Sequence, residues 1–180
     1  LINIELNKID APKDLIQTFD CDVTKELTNE LMKNVDLVVV TGSLNNVKEA
    51  AKSGTKAIGV GQGNVTSIID ETADLEDAIK KIKISKIFDN ATSCSSENNL
   101  ILIEDIYEKS INLLVKENAV LLNKDQKEIL QKNLWLNGKL NRKIIAKSAK
   151  FISNELKLEV SNDVQILMVN EEGVGSNYPF

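Results

Sequence analysis

Cys94 is the residue of this chain whose type and setting most suggest chemistry. It lies in Phe88-Asp89-Asn90-Ala91-Thr92-Ser93-Cys94-Ser95-Ser96-Glu97, a small, polar stretch. A structural cysteine usually sits inside an apolar run instead. A thiol in such a loop is a candidate nucleophile, because the thiolate is the reactive form and needs exposure and a stabilising surrounding. The chain has no histidine, so Ser-His-Asp and Cys-His mechanisms are excluded. Any thiolate would depend on oriented backbone N–H groups or on a base outside this chain. An incidental polar-loop cysteine is the bland alternative. Cys21 stands between Asp20 and Asp22, whose charges disfavour a thiolate, and it reads as structural or incidental. Two cysteines and no histidine leave zinc without an N/S ligand set, so no metal is expected.

The glycines Gly59, Gly61 and Gly63 form a second group. They either admit close approach of a ligand to backbone or serve a tight turn at a strand end. Their spacing is not Gly-x-Gly-x-x-Gly, so the dinucleotide fingerprint is not met. Thr41-Gly42-Ser43 follows a β-branched run and is a weak signal of the same kind. Carboxylate pairs such as Asp70-Glu71 and Glu171-Glu172 are more economically read as solvated turns.

The elements that position these residues alternate, which gives an α/β fold class. Asp36 to Val40 reads as a buried strand, Val47 to Lys52 as a short helix stopped by Gly54, and Thr55 to Val60 as a second strand, a parallel-type unit. Thr24 to Lys33 reads as a helix with Thr24 as N-cap. From Asp74 to about Phe88, Leu75, Ala78, Ile79 and Ile82 repeat at helical spacing, with acids early and lysines late. That helix delivers the chain to Cys94. A strand from Leu100 to Ile103 follows, then a helix from Asp105 to about Glu117 with Tyr107, Ile111 and Leu114 on one face. Helical patterns from Lys124 to Trp135 and from Arg142 to Leu156 precede a strand at Gln165 to Val169.

The 180 residues carry 22 Lys and Arg against 27 Asp and Glu, a net charge of −5, with 42% hydrophobic and 27% charged residues. That is an ordinary globular composition. The acidic balance argues against nucleic acid and anionic membranes as partners. The apolar runs are far shorter than a membrane span of about 20 residues, and no secretory leader is visible. Two cysteines make no disulfide framework, which points to a reducing cytoplasm. A chain opening at Leu1 and stopping at Tyr178-Pro179-Phe180 reads as a piece of something larger.

Taken in order, Thr41-Gly42-Ser43, Gly59-Val60-Gly61-Gln62-Gly63-Asn64, Ile69-Asp70-Glu71-Thr72-Ala73-Asp74 and Ser85-Lys86-Ile87-Phe88-Asp89-Asn90 through Cys94-Ser95-Ser96-Glu97 resemble the CoA-acylating branch of the aldehyde dehydrogenase superfamily. That branch includes acetaldehyde and sulfoacetaldehyde dehydrogenases and the aldehyde half of bifunctional aldehyde-alcohol dehydrogenases. Leu167 to Gly175 and Tyr178-Pro179-Phe180 are similar too. The resemblance covers essentially the whole chain but well under half of the family's length.

The resemblance implies an aldehyde dehydrogenase-like fold: residues 1–61 as the later half of a Rossmann-like NAD-binding domain and 62–180 as the first part of the catalytic α/β domain. It implies Cys94 as the nucleophile that forms a thiohemiacetal, passes a hydride to NAD and transfers the acyl group from its thioester to coenzyme A. It implies Thr41, Gly42, Ser43 and Gly61 at the cofactor site. The family's second oxyanion donor, an Asn, would lie upstream of Leu1. Hydrolytic members resemble Glu-Leu-Gly-Gly-Lys-Asn where this chain has Gly59-Val60-Gly61-Gln62-Gly63-Asn64. Gly59 therefore stands where their water-activating Glu would be, which favours transfer to CoA. Where the family commonly shows Thr-Gly-Gly-Pro-Gly-Met, this chain has Thr41-Gly42-Ser43-Leu44-Asn45-Asn46. The family's ribose-binding Glu falls at Asn170 or Glu171. A small aldehyde is the implied substrate, acetaldehyde and sulfoacetaldehyde being equal candidates, and a homo-oligomer is expected. The alternatives are a hydrolytic aldehyde dehydrogenase and a non-catalytic binding or assembly fragment. The isolated 180 residues are expected to be inactive.

Overall fold

The computed structural model describes residues 2–61, 63–175 and 177–180. Leu1, Gln62 and Ser176 lie outside the described residues, and with Gln62 goes the first residue of the expected catalytic domain. The chain divides into two compact units, Leu1–Gln62 and Gly63–Phe180.

In the first unit, α1 (Ile2–Lys8) and α2 (Lys25–Lys33) precede β1 (Val38–Thr41), α3 (Leu44–Lys52) and β2 (Ala57–Val60). β1 and β2 pair in parallel, Val38 opposite Ala57 and Thr41 opposite Val60. Parallel strands need a crossover, and α3 supplies it. Met32, Val38 and Ala50 form the buried core, flanked by Val35, Val40 and Ala57. Thr24 caps α2 as expected, its Oγ1 accepting from the Leu27 N–H at 3.1 Å. α3 starts three residues before the expected Val47, because the Ser43 side chain caps it and adds Leu44, Asn45 and Asn46 to its first turn.

The second unit opens with β3 (Val65–Ile69), α4 (Leu75–Ile87) and β4 (Glu97–Leu102), and continues with α5 (Glu104–Lys116) and β5 (Ala119–Leu121). Then follow α6 (Lys124–Leu134), a hairpin of β6 (Trp135–Leu136) and β7 (Lys139–Leu140), α7 (Ala149–Glu155) and β8 (Ile166–Met168). β3 pairs in parallel with β4, and β5 with β8. Ile69, Leu75, Ile79, Ile106, Leu114, Ala119 and Ile166 make one buried cluster between these strands and helices α4 and α5. Leu122, Leu130 and Leu158 make another. On α5 the buried stripe is Ile106, Ser110 and Leu114, so Tyr107 is displaced one position from the face expected of it.

The expected helix from Arg142 to Leu156 is present only as α7. Residues 142–146 form turns instead, and upstream of them residues 135–140 form the hairpin, turned by Asn137 and Gly138 at φ 52° and 71°. That is the Asn-Gly geometry of a tight primed turn. Among the described residues no helix is long and apolar enough to cross a membrane.

Candidate functional site

α4 is built to end at the cysteine loop. The Asp74 carboxylate caps its start, accepting from the Asp77 N–H at 3.2 Å, and Leu75 and Ile79 bury one face. At the other end the chain leaves the helix through Asp89 and Asn90, at φ 48° and 51°, and then Ala91 at φ 59°. Asp and Asn tolerate this left-handed region, whereas an alanine there is strained. The Thr92 N–H and hydroxyl both donate to the Asp89 carbonyl, at 3.1 and 2.6 Å, and lock the reversal.

Cys94 then sits at the second position of a turn closed by the Ser96 N–H on the Ser93 carbonyl, at 3.1 Å. The thiol is free and exposed. Among the described residues the Cys94 N–H donates to no acceptor, so it is available to an oxyanion formed at the neighbouring sulfur. The Ser93 and Ser95 hydroxyls lie 2.9 Å apart, and the Ser95 N–H reaches the Ser93 Oγ at 3.3 Å.

Three contacts clasp the loop. Ser96, only 1% exposed, directs its hydroxyl to the Ser85 carbonyl at 3.4 Å. Lys86 Nζ donates to Asn98 Oδ1 at 3.0 Å. Burial pushes the Lys86 ammonium below its ordinary pKa, against the opposing charge of Glu97. One Glu97 carboxylate oxygen is buried without a hydrogen-bond partner among the described residues. Finally, Asn90 Nδ2 donates to the Ala146 carbonyl at 3.2 Å, across 56 positions of sequence. None of these clasps was legible in the sequence, since each joins residues whose patterns are unrelated.

Thr41, Gly42, Ser43 and Gly61 belong to the first unit, Cys94 to the second. Within the first unit, Gly42 and Gly61 each follow a member of the last ladder pair, Thr41 and Val60. They therefore share the carboxyl end of the parallel strands, where open α/β sheets bind ligands. Gly42 has φ 120°, which only glycine adopts readily, and a Cβ at Gly61 would meet nothing within 4 Å. Ser43 Oγ accepts from the Asn46 N–H at 3.2 Å, so its hydroxyl caps the nine-residue α3. A glycine turn leading into a helix N-terminus suits the phosphates of a dinucleotide. Gly59 is different: a Cβ there would fall 2.6 Å from Val47 Cγ1.

Glu171 forms an ion pair with Lys127 at 3.2 Å, and the same Nζ donates to the Asn170 carbonyl at 2.6 Å. An open depression of about 460 Å³ beside the start of α4, lined by Glu71, Asp74, Leu75, Ile106 and Lys109 among others, contains none of the expected site residues. No group of three or more His, Cys, Asp or Glu suited to a metal occurs among the described residues.

A sequence model of the Aldehyde dehydrogenase family matches residues 4–151. The chain is 45% identical over 181 residues to a sulfoacetaldehyde dehydrogenase (acylating) from Cupriavidus necator, covering 99% of this chain and 37% of that protein. An acetylating aldehyde dehydrogenase from Geobacillus thermoglucosidasius superposes with a TM-score of 0.91 at 37% identity, over 99% of this chain and 40% of that one. A propionaldehyde dehydrogenase from Rhodopseudomonas palustris, solved with bound CoA and an acylated cysteine, matches at 29% identity and a TM-score of 0.81, over 93% and 39%. The chain thus spans about two fifths of the length of these relatives.

Proposed function

Because this chain belongs to the aldehyde dehydrogenase family, with its relatives in the acylating branch, we propose that the protein carrying it oxidises a short-chain aldehyde to its acyl-CoA. In this reading residues 1–61 are the later half of the NAD-binding domain and 62–180 the first part of the catalytic domain. The observation that carries the proposal is Cys94, exposed on its turn with its own N–H free among the described residues.

The Cys94 sulfur, its proton released to solvent, attacks the aldehyde carbon, a C–S bond forms, and the carbonyl π pair moves to oxygen. The Cys94 N–H holds that oxyanion. When the tetrahedral thiohemiacetal collapses, its C–H bond breaks and a thioester remains on Cys94. NAD, when bound, supplies the hydride acceptor. The CoA thiol then attacks the thioester, the bond to Cys94 breaks, and the CoA proton passes to the departing Cys94 sulfur, regenerating its thiol. Gly59 offers no base for a competing water. Thr41, Gly42, Ser43 and Gly61 take the cofactor's phosphates at the carboxyl ends of β1 and β2. A homo-oligomer in the reducing cytoplasm completes the reading, since reducing conditions preserve the exposed thiol.

The test is NADH formation by the intact protein with acetaldehyde and with sulfoacetaldehyde, each with and without CoA, beside Cys94→Ala. CoA-dependent turnover that vanishes in Cys94→Ala is expected. Equal turnover without CoA would return the protein to the hydrolytic branch. No turnover at all would favour a binding or assembly role.

A further inference from the structure

We propose that the loop from Asn141 to Lys147, tied by Asn90 to the reversal that leads into the Cys94 turn, is an anion-binding element for the sulfonate or phosphate group of a substrate, acting through Arg142, Lys143 and Lys147. The inference rests on the acylating reading for its substrates but not for its geometry.

Charge distribution is the first ground. The chain carries more carboxylates than cations, yet Lys139, Arg142, Lys143, Lys147 and Lys150 fall together with no acidic residue between them. All five are exposed. The ion pairs found among the described residues use other cations, such as Lys83 with Glu117 and Lys127 with Glu171, while Lys150 faces the Asp163 carboxylate from a distance. A run of cations is ordinarily just a solvated face, and such a face needs no fixed backbone.

This backbone is fixed, which is the second ground. Asn141 donates from its backbone N–H to the Leu134 carbonyl at 2.8 Å and from its side chain to the Asn133 carbonyl at 2.9 Å. Its Oδ1 accepts from the Lys143 N–H at 3.0 Å. Ile144, 4% exposed, plugs the loop into the fold between the cations. Lys147 Nζ lies 5.3 Å from the centre of the Phe151 ring.

The third ground is place. The Asn90 bond to Ala146 puts Lys147 one residue from the tether and Cys94 four residues from it. Four residues span at most roughly 14 Å when extended, and the turns closed by Thr92 and Ser96 shorten that path. The cysteine stretch carries two carboxylates, Asp89 and Glu97, and Glu97 lies in the field of Lys86. In this proposal a substrate held on Cys94 reaches these cations with an anionic group elsewhere in the molecule. A sulfonate lies a few bonds from the reacting carbon of a sulfonated aldehyde. The phosphates of CoA lie further along the chain from its thiol.

The experiment compares the intact protein with its Lys143→Gln/Lys147→Gln and Lys143→Arg/Lys147→Arg forms. KM is read for acetaldehyde, sulfoacetaldehyde, CoA and pantetheine over a range of salt. Loss of charge-assisted bonds should raise an affected KM at least about tenfold. A rise for sulfoacetaldehyde but not acetaldehyde identifies a sulfonate. A rise for CoA with either aldehyde, but not for pantetheine, identifies phosphate. In both cases the Gln form should lose the salt dependence of that KM, and the Arg form should keep it. If every KM stays within about twofold, or only kcat falls alike for all substrates, the proposal is overturned. Equilibrium binding of ethanesulfonate and of adenosine 3′,5′-diphosphate is read in parallel. Should the protein make no NADH, the acylating reading fails while these isotherms still decide the site: binding weakened in the Gln form supports it, and binding absent or unchanged refutes it.

Discussion

Replacing Gly59 with alanine should destabilise the protein by about 1–3 kcal/mol, the usual cost of forcing an extra methyl into a packed contact. The reason is local. A Cβ on Gly59 would stand 2.6 Å from Val47 Cγ1, 3.6 Å from Val47 Cβ and 3.7 Å from Val40 Cγ1. Carbon atoms prefer roughly 3.5–4.0 Å, so the nearest contact is short by about 1 Å. Val47 cannot easily swing away, because a β-branched residue in a helix has one strongly preferred rotamer. Either α3 separates from β2 or Val47 leaves that rotamer. Val47→Ala deletes the obstructing methyl, and since Val47 is half-buried it costs about 1 kcal/mol by itself. The double variant should then lose little beyond Val47→Ala, a coupling of about 1–3 kcal/mol in a double-mutant cycle. Urea unfolding of the intact protein measures all four corners. A loss below about 0.5 kcal/mol for Gly59→Ala, or additivity within that margin, would refute the steric argument. The same contact bears on chemistry: Gly59→Glu alone should fold poorly, so a water-activating glutamate can be tested at this position only with Val47 truncated.

Two other outcomes follow from the same geometry. Ala91→Gly should be neutral or raise stability by up to about 1 kcal/mol, because relief of the left-handed strain at φ 59° outweighs the extra chain entropy of glycine; a lowered melting temperature would show that the alanine methyl holds the turn. The Glu117 carboxyl is held below the ordinary glutamate range by the hydrogen bond from Lys83 Nζ at 2.7 Å. A depressed carboxyl contributes stability above its unfolded pKa and loses it as pH falls through the folded value. Acid titration of stability should therefore show a component that Glu117→Gln removes, and identical acid profiles would disprove it.

What could be read from the sequence was periodic or adjacent. Leu75 and Ile79 announce α4, Thr24 announces the start of α2, and the β-branched run before Thr41 announces β1, because burial and capping act over one or two turns. Short strands such as Ala119–Leu121 escaped, having too few residues to establish an alternation. Arg142 to Leu156 looked helical because Ile144, Ile145, Phe151 and Ile152 recur at compatible spacing. There the anchoring of Asn141, which holds the Lys143 N–H, and the left-handed Ala146 at φ 58° prevail over the pattern. At the site, the polar setting of Cys94 was visible and its left-handed approach was not, since Ala91 is a poor advertisement for positive φ. Ser43 was read beside the cofactor, and the cap its hydroxyl makes on α3 went unread. The tie between Asn90 and Ala146 was beyond reach, as nothing local to either residue specifies the other.

The parallel ladders also imply an order of assembly. Val38 finds Ala57 only 19 positions away, Val65 finds Glu97 after 32, and Ala119 finds Ile166 after 47. Going from the shortest to the longest of these closures costs about 0.8 kcal/mol in chain entropy, and non-local pairings generally form more slowly. The cysteine turn lies inside the middle closure, just ahead of β4. Its left-handed residues lie within the span that the β3–β4 pairing closes, whereas the β5–β8 pairing closes a longer one. The turn that carries Cys94 therefore belongs to a shorter closure than the last ladder, which leads on to Asn170 and Glu171.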